Sequence, residues 1–583
     1  MIVDAELRLQ SDPSRYTWAR FLEDIVDRHR DRVAIRFDTG SGAAAKTGSD
    51  PNGSTQQLRY WEIEAQARQL AKGLVGAGVV KGARVAVLFA NRPEWVIASF
   101  ATSLVGAVMV PVNTFATVPE LDYILRHSDA SVLLLQKGLL KRDYLREITA
   151  AHPEITAAAP GRIRCPALPS LRSVFCFGLE AADGGAQTWE SLLAFGRDVD
   201  DELIDSLSAE VTPADDGVVI YTSGTTAHPK GVLHLQRAPV IMSWRFAEHY
   251  ELGPDDVVWT AQPFFWTAGI CMSLGATLAA GGSLILQQSF DAEAGLRAIE
   301  RERATVVHAW PHQEKALAEH PSASSRDLSS VSRLNLSSPL APLCGVEKDE
   351  WGTHGSYGMS ETFTLASAIP AAAPAALREA TSGKPLPGMA VRIVDPDTGA
   401  RLPDGEKGEI AVKGLTFMRG YYKVEPELFL DADGFYHTQD GGWLDSDGYL
   451  HWSGRLSNLI KTGGANVSPL EIEQALTQYP GLRVGLAVGV PHPALGEAIV
   501  LCAVRLPGAE ISQQAVREFL RERLAAYKVP KCVLVFDEGD LAFTGNQKIQ
   551  LGPLREAAET RLAAEGIEID GHRYQPASSP GQG

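Results

Sequence analysis

Two long stretches of this chain carry no charged side chain, residues 95–119 and 257–290. Each is long enough to cross a membrane, so the chain must either insert them into lipid or bury them in a large core. Composition decides for the core. The first holds Ser, Thr, Gly, Pro111 and Asn113, and the second is broken by Pro263 and by Gly281-Gly282 and contains three glutamines. Such segments read as helix-plus-strand units inside an α/β core, where parallel strands show as continuous apolar runs.

The rest of the chain keeps that rhythm. The runs VAIRF (33–37), RVAVLFAN (84–91), ASVLLLQ (130–136), VVIYTS (218–223) and SLILQQ (283–288) predict strands, and YWEIEAQARQLAKGLVGAG predicts a helix ending at glycine. Towards the C-terminus the pattern shrinks. RVGLAVGV, AIVLCAVRL and KCVLVFD alternate with the helical SPLEIEQALTQY and SQQAVREFLRERLAAY, which predicts a second, compact α+β domain. Residues 39–57 have the composition of a flexible loop.

Several functions are excluded early. Fifty-four basic against 71 acidic side chains give a net charge of −17, which argues against general affinity for nucleic acid or anionic membranes. The six cysteines are scattered, with no C-x-x-C pair and no Cys/His spacing of a zinc motif, as expected in a reducing cytoplasm. The N-terminal MIVDAELRLQ places acids where a signal peptide needs basic residues, so export is not expected.

The chemistry concentrates in YTSGTTAHPKGV, residues 221–232. Thr222, Ser223, Gly224, Thr225, Thr226 and Lys230 supply hydroxyls, backbone N–H groups and an ammonium, the makings of a concave anion site, although the spacing is not that of the common P-loop. This loop resembles the signature loop of the adenylate-forming superfamily of acyl-CoA synthetases, nonribosomal adenylation domains and luciferases. Further motifs of that superfamily follow in order: YGMSE (357–361), GKPLPG (383–388), YHTQDGGWLDSDGYLHWSGR (436–455), NLIKTGGANVSPLEIE (458–473) and TGNQKIQ (544–550).

The resemblance implies a large N-terminal AMP-binding domain of several sheets and helices over 1–455, a small mobile α+β lid over 456–570 and a flexible tail over 571–583. It also implies chemistry in two steps. A carboxylate reacts poorly with a thiol because oxide is a hopeless leaving group, and joining it to AMP supplies a good one. By resemblance the 222–230 loop cradles the ATP phosphates, with Thr225 and Glu361 serving Mg²⁺; a carboxylate beside phosphate oxygens suits that hard cation. By resemblance Ser356, Tyr357 and Gly358 belong to the ATP/AMP site, with the Tyr357 ring stacked on adenine, and Ser360 meets the α-phosphate. Asp440 accepts the ribose hydroxyls, and Arg455 contacts ribose and phosphate. Lys548 is the expected catalytic lysine, stabilising charge as pyrophosphate leaves. Ser457 occupies the hinge, and Gly463 and Gly464 line the thiol tunnel. The chain departs from the family pattern at Ala227, Gln439, Ser457, Ala542 and Gln547.

Only 34 residues follow Ile549 (583 − 549), too few for a carrier domain, so coenzyme A is the expected acceptor. A ligase that loads a separate carrier or forms an amide shares the first step, and a silent acyl-nucleotide sensor is disfavoured by the joint presence of Lys548, Glu361, Asp440 and Arg455. The resemblance frames the acid pocket with Trp266, Trp310, Ser337 and Ser338, which implies flat apolar walls suited to aryl, alicyclic or medium-length acids. A monomer or a homodimer is compatible with everything above.

Overall fold

The computed structural model describes residues 12–38, 55–222, 229–396, 398–456, 460–477, 479–506, 508–536 and 551–575. Ser223, Gly224, Thr225, Thr226, Ser457 and Lys548 lie outside the described residues. Two compact units are formed, one of residues 1–114, 122–221 and 231–456, the other of 115–121, 222–230 and 457–583.

Both uncharged stretches fold as an α/β core demands. In the first, the helix Pro93–Leu104 is buried throughout and is followed by the strand Val108–Pro111. In the second, the strands Val257–Thr260 and Ser283–Leu286 flank a π-helix, Gly269–Gly275, which runs into the short helix Ala276–Ala280. No helix among the described residues is long and apolar enough to cross a membrane.

These elements feed two sheets. One has eight strands in the order Gly420–Tyr421, Lys230–Leu235, Asp216–Thr222, Val108–Pro111, Arg84–Leu88, Val132–Gln136, Ser173–Phe177 and Ala186–Thr188. The other has five, in the order Val306–His308, Val257–Thr260, Ser283–Leu286, Val33–Asp38 and Thr55–Arg59. Pairing in the middle of both sheets is parallel, and the strands there are apolar on both faces because helices cover both sides. A four-stranded antiparallel sheet, Met389–Val394, Gly408–Gly414, Tyr436–Leu444 and Leu450–Arg455, completes the unit with a three-stranded one, Ser356–Tyr357, Ser367–Ala368 and Lys384–Pro385.

In the second unit Gly496–Arg505 pairs antiparallel with Leu482–His492 and parallel with Cys532–Phe536. The helices Pro469–Leu476 and Gln513–Arg521 bury Ile472, Leu476, Val516 and Leu520 in its core. The mixed α/β class, with a large and a small unit, is the one the sequence predicts. All six cysteines are free and buried.

Candidate active site

Tyr357 and Asp440 are separated by more than eighty residues yet meet. Tyr357 ends the strand Ser356–Tyr357, Asp440 sits within Tyr436–Leu444, and the tyrosine hydroxyl donates to Asp440 Oδ2 at 2.8 Å. Both are buried, Asp440 at 2% exposure. Arg455 is the register partner of Asp440 across the antiparallel pair. Ser356, by contrast, is exposed.

The turn after Tyr357 is sterically closed. A Cβ on Gly358 would lie 2.0 Å from the Thr364 carbonyl oxygen, so only glycine fits. The chain then enters the short 3₁₀ turn Ser360–Thr362 and leaves through two positive-φ residues, Phe363 at 50° and Thr364 at 98°. That sharp exit puts Glu361 against Tyr421, whose hydroxyl donates to Glu361 Oε1 at 2.6 Å and lies 2.8 Å from the Tyr436 hydroxyl. Burial first, then the Glu361 charge, pushes the Tyr421 phenol far above its usual range, so it stays protonated and remains a donor.

His234 is a residue the motifs did not single out. It lies fully buried on Lys230–Leu235, and its Nε2 is 2.7 Å from the Ser360 carbonyl oxygen. Burial pulls its pKa down to about 3, so the ring is neutral at ordinary pH. A carbonyl oxygen can only accept, hence Nε2 carries the proton and ties the Ser360–Glu361 turn to the large sheet. Thr222 and Lys230 stand at the ends of the strands Asp216–Thr222 and Lys230–Leu235 that bracket the phosphate-loop sequence.

The expected acid-side residues lie in connections: Trp266 just before the π-helix, Trp310 just before the helix Pro311–Ala318, and Ser337 and Ser338 in the turn before the short helix Ala341–Cys344. Trp266 is half-buried, packs edge-on against Phe265 at 5.0 Å and leads into the π-helix. Gly269 is required there, since a Cβ would meet the Pro263 carbonyl oxygen at 2.1 Å. Trp310 caps the helix Pro311–Ala318, its backbone N–H donating to Gln313 Oε1 at 2.9 Å, and its buried indole N–H has no acceptor among the described residues. Ser337 is exposed. The buried Ser338 hydroxyl donates to Glu314 Oε2 at 2.7 Å. Glu314 is a second residue that no motif announces, and burial raises the pKa of its carboxyl.

The two sides touch through the π-helix. The Cys271 thiol donates to the Thr267 carbonyl at 3.1 Å and lies 3.3 Å from the Thr364 hydroxyl, just past Glu361. Burial pushes this thiol up to about 12, which keeps it an inert packing group rather than a nucleophile.

Gly463 and Gly464, in the second unit, form the two-residue loop between Ile460–Thr462 and Ala465–Val467. Their φ angles of 56° and 81° are those of a type I′ hairpin, a backbone that glycine adopts without strain at both positions.

The model of the AMP-binding enzyme family matches residues 22–422, and that of the AMP-binding enzyme C-terminal domain matches 471–548. A feruloyl-CoA synthase from Amycolatopsis sp is 35% identical over 517 residues, 85% of this chain and 93% of that one. A medium-chain acyl-CoA ligase from Danio rerio is 28% identical over 93% of this chain and 88% of its own length. Among solved structures, the amide bond synthetase McbA from Marinactinospora thermotolerans superposes with a TM-score of 0.70 at 27% identity, covering 93% of this chain and 99% of that one. With family models on both of its parts and relatives along nearly its whole length, the chain belongs to the AMP-binding enzymes.

Proposed function

We propose that this chain is an ATP-dependent carboxylic acid–CoA ligase, which joins an acid to AMP with release of pyrophosphate and then passes the acyl group to coenzyme A. One observation carries the reading: Tyr357 and Asp440, from two separate motifs, meet through a hydrogen bond in the same cluster that packs Tyr421 and Tyr436 around Glu361. A buried carboxylate facing a tyrosine ring suits a ribose carrying a stacked base. Asp440 accepts the ribose hydroxyls, Tyr357 stacks on adenine, and the turn held by His234 presents Ser360 and Glu361 to the phosphates.

The donor set at Glu361 is oxygen only, which fits Mg²⁺, with Thr225 as the second residue to hold it. Bound there, the ion supplies charge neutralisation for the phosphates. Lys230 and the hydroxyls of the 222–226 loop bind and orient the β- and γ-phosphates. Lys548 donates to the acid carboxylate and α-phosphate as the new bond forms. In the second step the Gly463-Gly464 hairpin borders the path by which the thiol reaches the adenylate.

For the acid, Trp266, Trp310 and Phe265 supply flat apolar surface. Aryl acids suit such walls, and the feruloyl-CoA synthase relative points the same way. ATP–pyrophosphate exchange with a panel of aryl, alicyclic and medium-length acids, followed by thioester analysis with CoA, tests the proposal. Acid-dependent exchange and thioester formation are expected, and no exchange with any acid overturns adenylation. Exchange that yields an amide on adding amines, but no thioester with CoA, selects the second reading, which the likeness to an amide bond synthetase favours.

A further inference from the structure

Away from the adenylation machinery, three potential metal ligands that no linear zinc pattern contains come together in the fold. His152 terminates the helix Tyr144–Ala151, Glu154 opens the next short helix, and Cys165 follows in the connection to the strand Ser173–Phe177. One ligand atom from each, an imidazole nitrogen, a carboxylate oxygen and a thiol sulfur, lies within 4.8 Å of the other two. The cysteines are scattered along the sequence, but the fold sets Cys165 beside His152 and Glu154.

The spacing has chemical content. Around a tetrahedral Zn²⁺, bonds of about 2.3 Å to sulfur and about 2.0 Å to nitrogen set an S···N separation of about 3.5 Å. Cys165 Sγ lies 3.6 Å from His152 Nδ1. Glu154 Oε2 lies 3.9 Å from the same sulfur, a few tenths of an ångström long, and a half-exposed carboxylate can close that gap by rotation.

The fourth residue orients the first. Asp122 Oδ1 is 2.7 Å from His152 Nε2. An ionised carboxylate only accepts, so the proton sits on Nε2 and the Nδ1 lone pair faces the thiol. A carboxylate fixing the tautomer of a ligating histidine is the usual support of a protein zinc site. His152 and Cys165 are 5% and 3% exposed, and Ile155, Ile163 and Leu168 around them in sequence are fully buried. His152 and Cys165 are thus shielded from water, while Glu154 reaches solvent.

We propose that His152 Nδ1, Glu154 and Cys165 Sγ form a binding site for one transition-metal ion, Zn²⁺ by preference, with Asp122 positioning the histidine and water at the fourth coordination point. The thiolate selects against Mg²⁺, so this site and the nucleotide's cation do not compete.

The test uses the full-length chain, freed of metal by a chelator and titrated with Co²⁺ without ATP. A thiolate-to-cobalt charge-transfer band should grow to one ion per chain and bleach when Zn²⁺ is added. Cys165→Ser should abolish the band, and Asp122→Asn should keep it while weakening Co²⁺ binding by about 10- to 100-fold. Should Cys165→Ser not fold, Glu154→Gln, at a half-exposed position, provides the same test through weakened Co²⁺ binding. No band in the parent chain, a band that survives Cys165→Ser, or binding unchanged in both Asp122→Asn and Glu154→Gln overturns the site and leaves a plain hydrogen-bonded Cys–His pair.

Discussion

The proposed nucleotide side and the proposed acid side are built by different means. On the proposed nucleotide side, Tyr357, Glu361, Tyr421, Tyr436 and Asp440 sit on short antiparallel strands and one closed turn, and hydrogen bonds join Tyr357 to Asp440, Tyr421 to Glu361 and Tyr421 to Tyr436. On the acid side, Trp266 and Trp310 flank a widened helix and a strand end, and they offer surface rather than hydrogen-bonded geometry. A nucleotide demands donors and acceptors at fixed positions, which few residue types satisfy. A hydrophobic acid demands volume, which many combinations supply. One side should therefore respond to mutation alike for every acid, and the other acid by acid.

The largest effect is expected at Asp440. Asp440→Ala removes the acceptor of the Tyr357 hydroxyl and the proposed acceptor of two ribose hydroxyls, at about 1.5–3 kcal/mol for each hydrogen bond to a charged group. Pyrophosphate exchange should fall by about 100- to 10,000-fold, by the same factor for every acid tested. Asp440→Asn, which keeps one oxygen and the shape, should recover part of it. A loss that varies strongly with the acid would break the separation of the two sides.

Trp266→Ala should do the reverse. Truncation opens space beside small flat acids and costs about 1–3 kcal/mol of transition-state binding, roughly 10- to 200-fold in kcat/KM, while bulkier acids lose less or gain. A fully buried tryptophan would instead cost about 3–5 kcal/mol of stability and depress all acids together, but Trp266 is only half-buried. An unchanged rank order of acids with a large drop in Tm would remove Trp266 from the pocket wall.

Glu314 sharpens the contrast through pH. Its folded pKa is raised by burial, so the folded state prefers the protonated form. The stability it contributes is fully present below the unfolded carboxyl pKa and is lost as pH rises through the folded one. Glu314→Gln cannot ionise. The Tm difference, variant minus parent, should therefore be more positive at pH 7.5 than at pH 4.5, and an equal difference at both would mean the carboxyl is not held protonated. Kinetically, the change should register in the choice of acid and leave the KM for ATP alone.

The two sides also differed in how well the sequence announced them. Tyr357, Glu361 and Asp440 stand inside strings that resemble the family's motifs, as the proposed nucleotide chemistry would fix both residue type and spacing, and the alternating apolar runs already carried the α/β class. His234 and Glu314 went unmarked. His234 is a polar residue between two leucines of its strand and Glu314 is one of several polar residues on its helix, so the contact of each with Ser360 or Ser338 arises only in the 3D fold. The π-helix was equally invisible, because a run without charges shows no periodicity to distinguish a widened turn from an ordinary one. The Cys165 cluster was missed for a related reason: its spacing matches no short-loop zinc pattern, and an intervening turn, not a motif, brings the thiol back to His152.

The smallest effect tests a strained residue beside Asp440. Gln439 stands where the family resemblance leads one to expect glycine, and it adopts the left-handed backbone with φ at 58°. That conformation costs a residue with a β-carbon about 1–2 kcal/mol. The strain is held by backbone bonds on either side: the Gln439 N–H donates to Glu409 Oε1 at 2.7 Å, and its carbonyl accepts from the Leu456 N–H at 2.6 Å. Its side chain is exposed. Gln439→Gly keeps both backbone bonds and removes the strain, but glycine loses about 0.5–1 kcal/mol more entropy on folding. The net gain should be below about 1 kcal/mol, a Tm rise of about 1–2 °C in a domain of this size. Activity separates two accounts of the glutamine. If the fold alone aims Asp440, kcat/KM for ATP stays within twofold of the parent. If the glutamine's stiffness is what holds Asp440 against Tyr357, the variant becomes more stable and less active together, for every acid equally, because a freer backbone at 439 lets the carboxylate drift from the ribose.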